Sequence, residues 1–126
     1  MERQRLLIVD NEVKWLATLK AFFEGRGYLV WAVTSGEAAL QVLTQHQPQV
    51  VLLDMQLGAS RLHGLDVLRQ IKTHWAGIAV LVCSGSADAD KKTEALSLGA
   101  DRFFDKPVNL VDLLRAIQAV NGRRQP

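Results

Sequence analysis

Two aspartates, a serine and a lysine stand at the C-terminal ends of short apolar runs. Asp10 follows RLLIV, Asp54 closes VVLLD, Ser84 follows IAVLVC and Lys106 follows RFFD. A hydrophobic core needs none of these groups, and parallel strands in one sheet would bring all four to one edge. Two ionised carboxylates about 4 Å apart repel by roughly 4 kcal/mol at an effective dielectric of 20, so such a pair is kept chiefly where a cation neutralises it. Hard oxygen ligands at a partly hydrated site suit Mg²⁺. The ammonium of Lys106 suits a phosphate as a point charge. Carboxylates can themselves be nucleophiles that form aspartyl phosphates, with cations stabilising the equatorial oxygens. The set outlines a phosphoryl site. Asp54 is its nucleophile, because VVLLD is the most apolar run and therefore the central strand; Asp10, on the neighbouring strand, holds metal from the side.

The elements that must position these groups alternate along the chain. Strands are expected at Arg5 to Asp10, Leu29 to Val33, Val50 to Asp54, Ile78 to Cys83 and, more weakly, Arg102 to Asp105. Their runs are apolar on both faces, as in parallel sheets covered by helices on both sides. Between them, Trp15, Leu16, Leu19, Phe22 and Phe23 recur at helical spacing, and Gly25 and Gly27 stop that helix. Thr34-Ser35-Gly36-Glu37 has capping-box spacing, with Thr34 as the cap and Glu37 reaching back. Leu65, Leu68 and Ile71 make a third stripe, ended near Trp75 and Gly77. Ser86 caps a polar fourth helix with only Ala95, Leu96 and Leu98 to bury, and Asn109 caps a fifth, strongly apolar one that ends before Asn121-Gly122. Five βα units with short connections require right-handed crossovers and a doubly wound parallel sheet. Ligands then bind beyond the strand C-termini, where the strand order reverses.

The chain has 126 residues, 48% hydrophobic and 22% charged, which fits one globular domain of ordinary size. We place that domain at 1–121, with 122–126 as a tail or the start of a linker. The lone Cys83 closes no intrachain bridge, no apolar run is long enough to cross a membrane, and the start MERQR lacks the apolar core of a signal peptide. A reducing, cytoplasmic setting follows. A net charge of +2 gives no basic face for nucleic acid. His46 and His74 lie near helix ends with no zinc spacing, while Trp31 and Trp75 are expected to be partly buried.

With these residues in view, the chain resembles the receiver domain of two-component response regulators, in its chemotaxis-regulator-like form, from Leu6 to about Val120. The matching motifs are Ile8-Val9-Asp10-Asn11-Glu12, Val51-Leu52-Leu53-Asp54, Val82-Cys83-Ser84-Gly85, Leu98-Gly99-Ala100-Asp101 and Lys106-Pro107. The resemblance implies a flavodoxin-like (βα)5 fold with a five-stranded sheet of order 2-1-3-4-5. It implies Asp54 as phosphoacceptor and Asp10 as metal ligand, with the backbone carbonyl of Gln56 completing the Mg²⁺ shell. Ser84 is the hydroxyl that turns toward the phosphoryl group, Lys106 pairs with that group, and Phe103 is the switch aromatic. The Lys106-Pro107 bond is expected to be cis, an isomer open to X-Pro bonds. The implied partners are a histidine kinase or phosphotransfer protein and an output domain or downstream protein reached through helix 4, strand 5 and helix 5. A homodimer is a further expectation. Direct nucleic-acid or membrane contact is not, and the chain would be a regulatory phosphoacceptor, not an enzyme.

Three features depart from the family pattern. Asn11 stands where a second acidic residue usually touches the metal, leaving Asn11 and the adjacent Glu12 as alternative ligands. The stretch from Gln56 to Gly64 is longer than the usual loop and lacks its proline, and its Arg61 and His63 are read as solvated. Ala116 replaces the interface arginine of one large subfamily. Two other classes lack the residues they need. A phosphatase with an Asp-x-Asp nucleophile fails, because Asp10-Asn11-Glu12 and Asp54-Met55-Gln56 lack the second aspartate. A flavin or nucleotide carrier fails for want of a phosphate loop. The alternative kept open by Asn11 is a receiver-like interaction or dimerisation module with weak or no phosphorylation.

Overall fold

The structure, a computed structural model, describes residues 3–58, 61–85 and 89–124. Five strands and five helices alternate: β1 (Arg5–Val9), α1 (Val13–Glu24), β2 (Leu29–Val33), α2 (Gly36–Gln45), β3 (Val50–Asp54), α3 (Gly64–His74), β4 (Ala79–Ser84), α4 (Ala89–Ser97), β5 (Arg102–Asp105) and α5 (Leu110–Arg124). All pairings are parallel and the order is β2-β1-β3-β4-β5. This is the flavodoxin-like arrangement, with β3 in the middle and the reversal of order between β1 and β3.

Side chains alternate across each strand, so a run apolar at every position feeds two cores. Leu6, Ile8, Val50, Leu52 and Leu81 pack with Leu16, Leu19 and Phe23 of α1 and Leu113, Ile117 and Val120 of α5. Leu7, Val9, Val51, Leu53, Val80 and Val82 pack with Leu43 of α2, Val67, Leu68 and Ile71 of α3 and Ala95 of α4. Each fully buried Leu or Ile contributes about 1.5 to 3 kcal/mol. The edge strands β2 and β5 are only partly covered, which corrects the expectation that all five strands are buried. Trp31 and Trp75 are half-buried against the second core, and Trp31 stacks on exposed His46 with ring centroids 4.8 Å apart.

Caps differ locally from the sequence reading. Ser35, not Thr34, is the N-cap of α2, its hydroxyl accepting the N–H of Ala38 at 3.1 Å. With Ser35 as the cap, Ala38 and not Glu37 stands three residues on, and Glu37 Oε1 accepts the N–H of Leu62 at 3.0 Å, a tertiary bond. His63 and Asp66 form a capping box on α3, and Asn109 Oδ1 accepts from the N–H groups of Val111 and Asp112 to start α5. The expected Ser86 cap lies outside the described residues. In α4 only Ala95 is buried and Leu96 is 43% exposed, so α4 is the most weakly packed helix. Helix α5 runs through Asn121-Gly122 to Arg124, since a helical glycine costs only about 1 kcal/mol relative to alanine.

Candidate phosphoacceptor site

The strand ends meet where the sheet order reverses. Asp10 extends β1 by one ladder bond, its N–H donating to Val33 O at 3.1 Å, and Asp54 is the last residue of β3. Both carboxylates are oriented by the same device. Oδ1 of Asp10 accepts the N–H of Glu12 at 2.9 Å, and Oδ1 of Asp54 accepts the N–H of Gln56 at 3.1 Å. Each bond spans two residues, as in an Asx-turn, and fixes the side chain without help from elsewhere. The second oxygens then face one cation: Lys106 Nζ lies 3.0 Å from Asp10 Oδ2 and 3.4 Å from Asp54 Oδ2.

Asp10, Asp54 and Ser84 are the buried polar residues among those described, at 3%, 4% and 1% exposure. One ammonium cannot neutralise two buried carboxylates. Burial lifts the Asp54 carboxyl above the ordinary carboxylate range; the Gln56 N–H and Lys106 pull it down, the charge of Asp10 pushes it up, and the net shift is upward. Burial works against the charge of Lys106, but the Asp10 hydrogen bond and the charges of Asp54, Asp10 and Glu12 outweigh it and hold the ammonium above its usual value. The site carries a surplus negative charge next to hard oxygens, which suits a small divalent cation. Among the described residues no three His, Cys, Asp or Glu side chains converge as a metal cluster. An ion there would therefore take Asp10, Asp54 and neutral oxygens such as the Gln56 carbonyl. Asn11 and Glu12 are exposed beside them, and the Asn11 amide packs on Gly58, where a Cβ would lie 2.9 Å from Nδ2 and φ is +60°.

Ser84 ends β4 opposite Asp105 of β5, and its carbonyl accepts the N–H of Lys106 at 2.8 Å. The Lys106-Pro107 peptide is cis. Phe103 is half-buried in β5, opposite Val82, against the second core. Cys83 pairs in register with Asp54, and burial pushes its thiol up to about 12, so it is an inert core residue. Exposed Arg61 lies in the loop before α3, and His63 is committed to capping that helix.

One positioning residue escaped the sequence reading. A Cβ on Gly64 would lie 2.5 Å from Met55 Cα and 2.7 Å from Asp54 O, so only glycine lets α3 begin against the backbone that carries Asp54. Its N–H donates to Met55 O at 3.2 Å. The signal available was a glycine, a poor helix former, heading an otherwise regular amphipathic helix.

Comparison with known proteins agrees with this arrangement. Residues 6–118 match the response regulator receiver domain. A transcriptional regulatory protein KdpE from Mycobacterium tuberculosis is 34% identical over 118 residues, which are 94% of this chain and 51% of that protein. The sporulation initiation phosphotransferase F of Bacillus subtilis is 28% identical over 94% of both chains. A CheY-like receiver domain from Methanospirillum hungatei superposes with a TM-score of 0.92 at 26% identity, covering 98% of this chain and 97% of that one. The chain spans about half the length of several curated relatives it matches, the KdpE protein among them. With its profile matched over nearly the whole described sheet and its topology shared, the chain belongs to the response regulator receiver domains of two-component systems.

Proposed function

We propose that this receiver accepts a phosphoryl group on Asp54 from a histidine kinase or phosphotransfer protein and passes the change to an output domain or downstream protein. The observation that carries the reading is Lys106 Nζ set between the Oδ2 atoms of two buried aspartates at the strand-order reversal. An oxygen of Asp54 forms the new bond to phosphorus as the bond from phosphorus to the donor breaks, its electron pair leaving with the donor. Lys106 stabilises charge on the transferring oxygens, and Asp10 keeps that ammonium in place. Bound Mg²⁺ would supply further charge stabilisation, held by Asp10, Asp54 and the Gln56 carbonyl, with Asn11 or Glu12 as additional oxygen donors. Ser84 answers the new charge from β4, and Phe103 moves with it. Sparse packing makes α4 the element that shifts most readily, so the surface of α4, β5 and α5 is the output contact. The phosphotransferase relative of nearly equal length supports a place in a phosphorelay.

The chain acts as a regulator whose only chemistry is its own phosphoryl transfer and hydrolysis, in the cytoplasm, with the five βα units through the end of α5 at Arg124 as the folded unit and a homodimer as an accessible state. Among the described residues no helix is long and apolar enough to cross a membrane. Incubation with acetyl phosphate, followed by intact mass, tests the reading. A Mg²⁺-dependent phosphoryl adduct that is lost in Asp54→Asn is expected, and its absence at millimolar Mg²⁺ in the folded protein would overturn it. The second reading, a receiver-like contact module that works without phosphorylation, is favoured by Asn11 alone, whose amide leaves the pocket one carboxylate short.

A further inference from the structure

The sheet has two edges, and they are finished differently. β5 is short and carries Arg102 and Asp105 at its ends, with the Arg102 guanidinium 5.0 Å from the centre of the Phe104 ring. Charge on an edge strand discourages pairing with another chain. β2 has no such device. Its sequence LVWAV holds neither charge nor proline, and it pairs with β1 residue for residue from Leu29 to Val33, so no bulge turns it away. Leu29 is 40% exposed, Trp31, Ala32 and Val33 are half-buried, and the Trp31 ring lies on exposed His46.

The ladder to β1 fixes which backbone groups this edge leaves over. The N–H of Leu29 donates to Gln4 O at 2.9 Å, and Val33 O accepts the N–H of Asp10 at 3.1 Å. Residues along a strand bond alternately to one side and the other. Leu29, Trp31 and Val33 therefore bond to β1, and the N–H and C=O of Val30 and Ala32 point the other way, off the edge of the sheet. Among the described residues nothing is hydrogen-bonded to them from that side. The side chains of Val30 and Ala32 pack against the first core, which holds these groups at fixed spacing.

We propose that β2 is the contact through which two copies of this chain pair, antiparallel about a two-fold axis at Trp31; this deepens the homodimer reading above and does not depend on Asp54. With Trp31 facing its own copy, Val30 of each chain stands opposite Ala32 of the other, and the two exchange both backbone bonds. Leu29 stands opposite Val33, an apolar pair, and the two Trp31 side chains meet where paired strands approach most closely. A symmetric contact must be its own complement. β2 sets no charge opposite a like charge, and the nearest charged residues beyond its ends are exposed Arg26 on one side and exposed Glu37 on the other. Antiparallel pairing brings the Arg26 end of one copy beside the Glu37 end of the other, so opposite charges flank the contact at both ends; parallel pairing would set like beside like. The two phosphoacceptor edges then point in opposite directions, and α4, β5 and α5 of each copy stay uncovered at the far ends of one continuous sheet.

Sedimentation of the full chain from micromolar to millimolar concentration should show a monomer–dimer equilibrium. Ala32→Pro removes an N–H that the β1 ladder does not use, so the sheet is kept while each copy loses one bond across the axis. It should weaken dimerisation about thirtyfold, the worth of two backbone hydrogen bonds. Trp31→Cys, oxidised with copper phenanthroline, should give a disulfide-linked dimer, because facing residues of a non-hydrogen-bonded pair stand about 4.5 Å apart at Cα, within disulfide reach. Leu29→Cys should not, because residue 29 faces residue 33 and lies about 13 Å along the strand from its own copy. Cys83 is buried and does not compete. The crosslink decides the matter even if Ala32→Pro does not fold. A dimer that Ala32→Pro leaves unchanged, a dimer without the Trp31→Cys crosslink, or crosslinking of Leu29→Cys as readily as of Trp31→Cys overturns the β2 contact and leaves the homodimer to another face. A chain that stays monomeric at millimolar concentration and gives no crosslink overturns both. None of these results bears on labelling of Asp54.

Discussion

Replacing Lys106 by methionine takes away the one cation seen between two buried carboxylates while keeping an apolar side chain of similar length. The ammonium and its partners are only 16%, 5% and 4% exposed, so solvent screens them little. Both carboxylate oxygens reach the same nitrogen, so they lie no farther apart than the 3.0 and 3.4 Å contacts laid end to end, about 6.4 Å. At an effective dielectric of about 20, their repulsion is then at least about 2.6 kcal/mol. Removing one partner of a buried ion pair costs about 3 to 5 kcal/mol. Lys106→Met should therefore lose about 3 kcal/mol at pH 7 without divalent ions. A second effect fixes the pH dependence. Asp54 already sits above its ordinary value of 3.8, mainly through burial, and loss of Lys106 raises it further. A raised carboxyl makes the folded chain bind protons more tightly than the unfolded one. Stability is then gained as pH falls through the folded value and is fully present below 3.8. The deficit of Lys106→Met against the parent should shrink from pH 7 toward pH 5, and adding Asp54→Asn should recover about 2 kcal/mol, most of the repulsion. Urea unfolding of parent, single and double variants in chelator, at both pH values, measures this. A loss below about 1 kcal/mol that is independent of pH and unrelieved by Asp54→Asn would refute the electrostatic account.

Other outcomes follow from particular contacts. Gly64→Ala forces a methyl into the backbone of Met55, and should cost about 2 to 3 kcal/mol in urea unfolding and slow labelling of Asp54. Asp101 Oδ2 accepts from Val80 N at 2.8 Å and Lys72 Nζ at 3.3 Å, a part-buried junction between α3, β4 and the start of β5. Asp101→Ala should destabilise by about 2 kcal/mol, measured the same way, because a part-buried N–H loses its acceptor. Glu37→Ala should speed amide exchange at Leu62 while changing global stability by less than about 1 kcal/mol, since the bond is at the surface.

The sheet was legible because its signal is local and redundant. Runs such as LLIV and VVLLD are apolar at consecutive positions, which only a strand covered on both faces requires. The candidate site was legible for a related reason: Asp10, Asp54, Ser84 and Lys106 are polar where each run stops, so parallel topology alone brings them to one edge. Contacts made across the chain were not readable. Glu37 has capping-box spacing from Thr34, but the cap is Ser35 and Glu37 accepts from an N–H 25 residues away. In the sequence Gly64 only closes the loop that starts at Gln56, and its role depends on Met55, which it meets only after folding. The half-covered edges of β2 and β5 likewise depend on sheet position, not on composition.

The most direct measurement of the central claim is where the phosphoryl group goes. Treating the protein with acetyl phosphate and Mg²⁺, reducing the adduct with borohydride and sequencing the peptides by mass spectrometry converts an aspartyl phosphate to homoserine at its own position. Homoserine is expected at residue 54, with aspartate retained at residue 10. Homoserine at residue 10, or unmodified aspartate at both positions in a protein that carries the adduct, would contradict Asp54 as the phosphoacceptor.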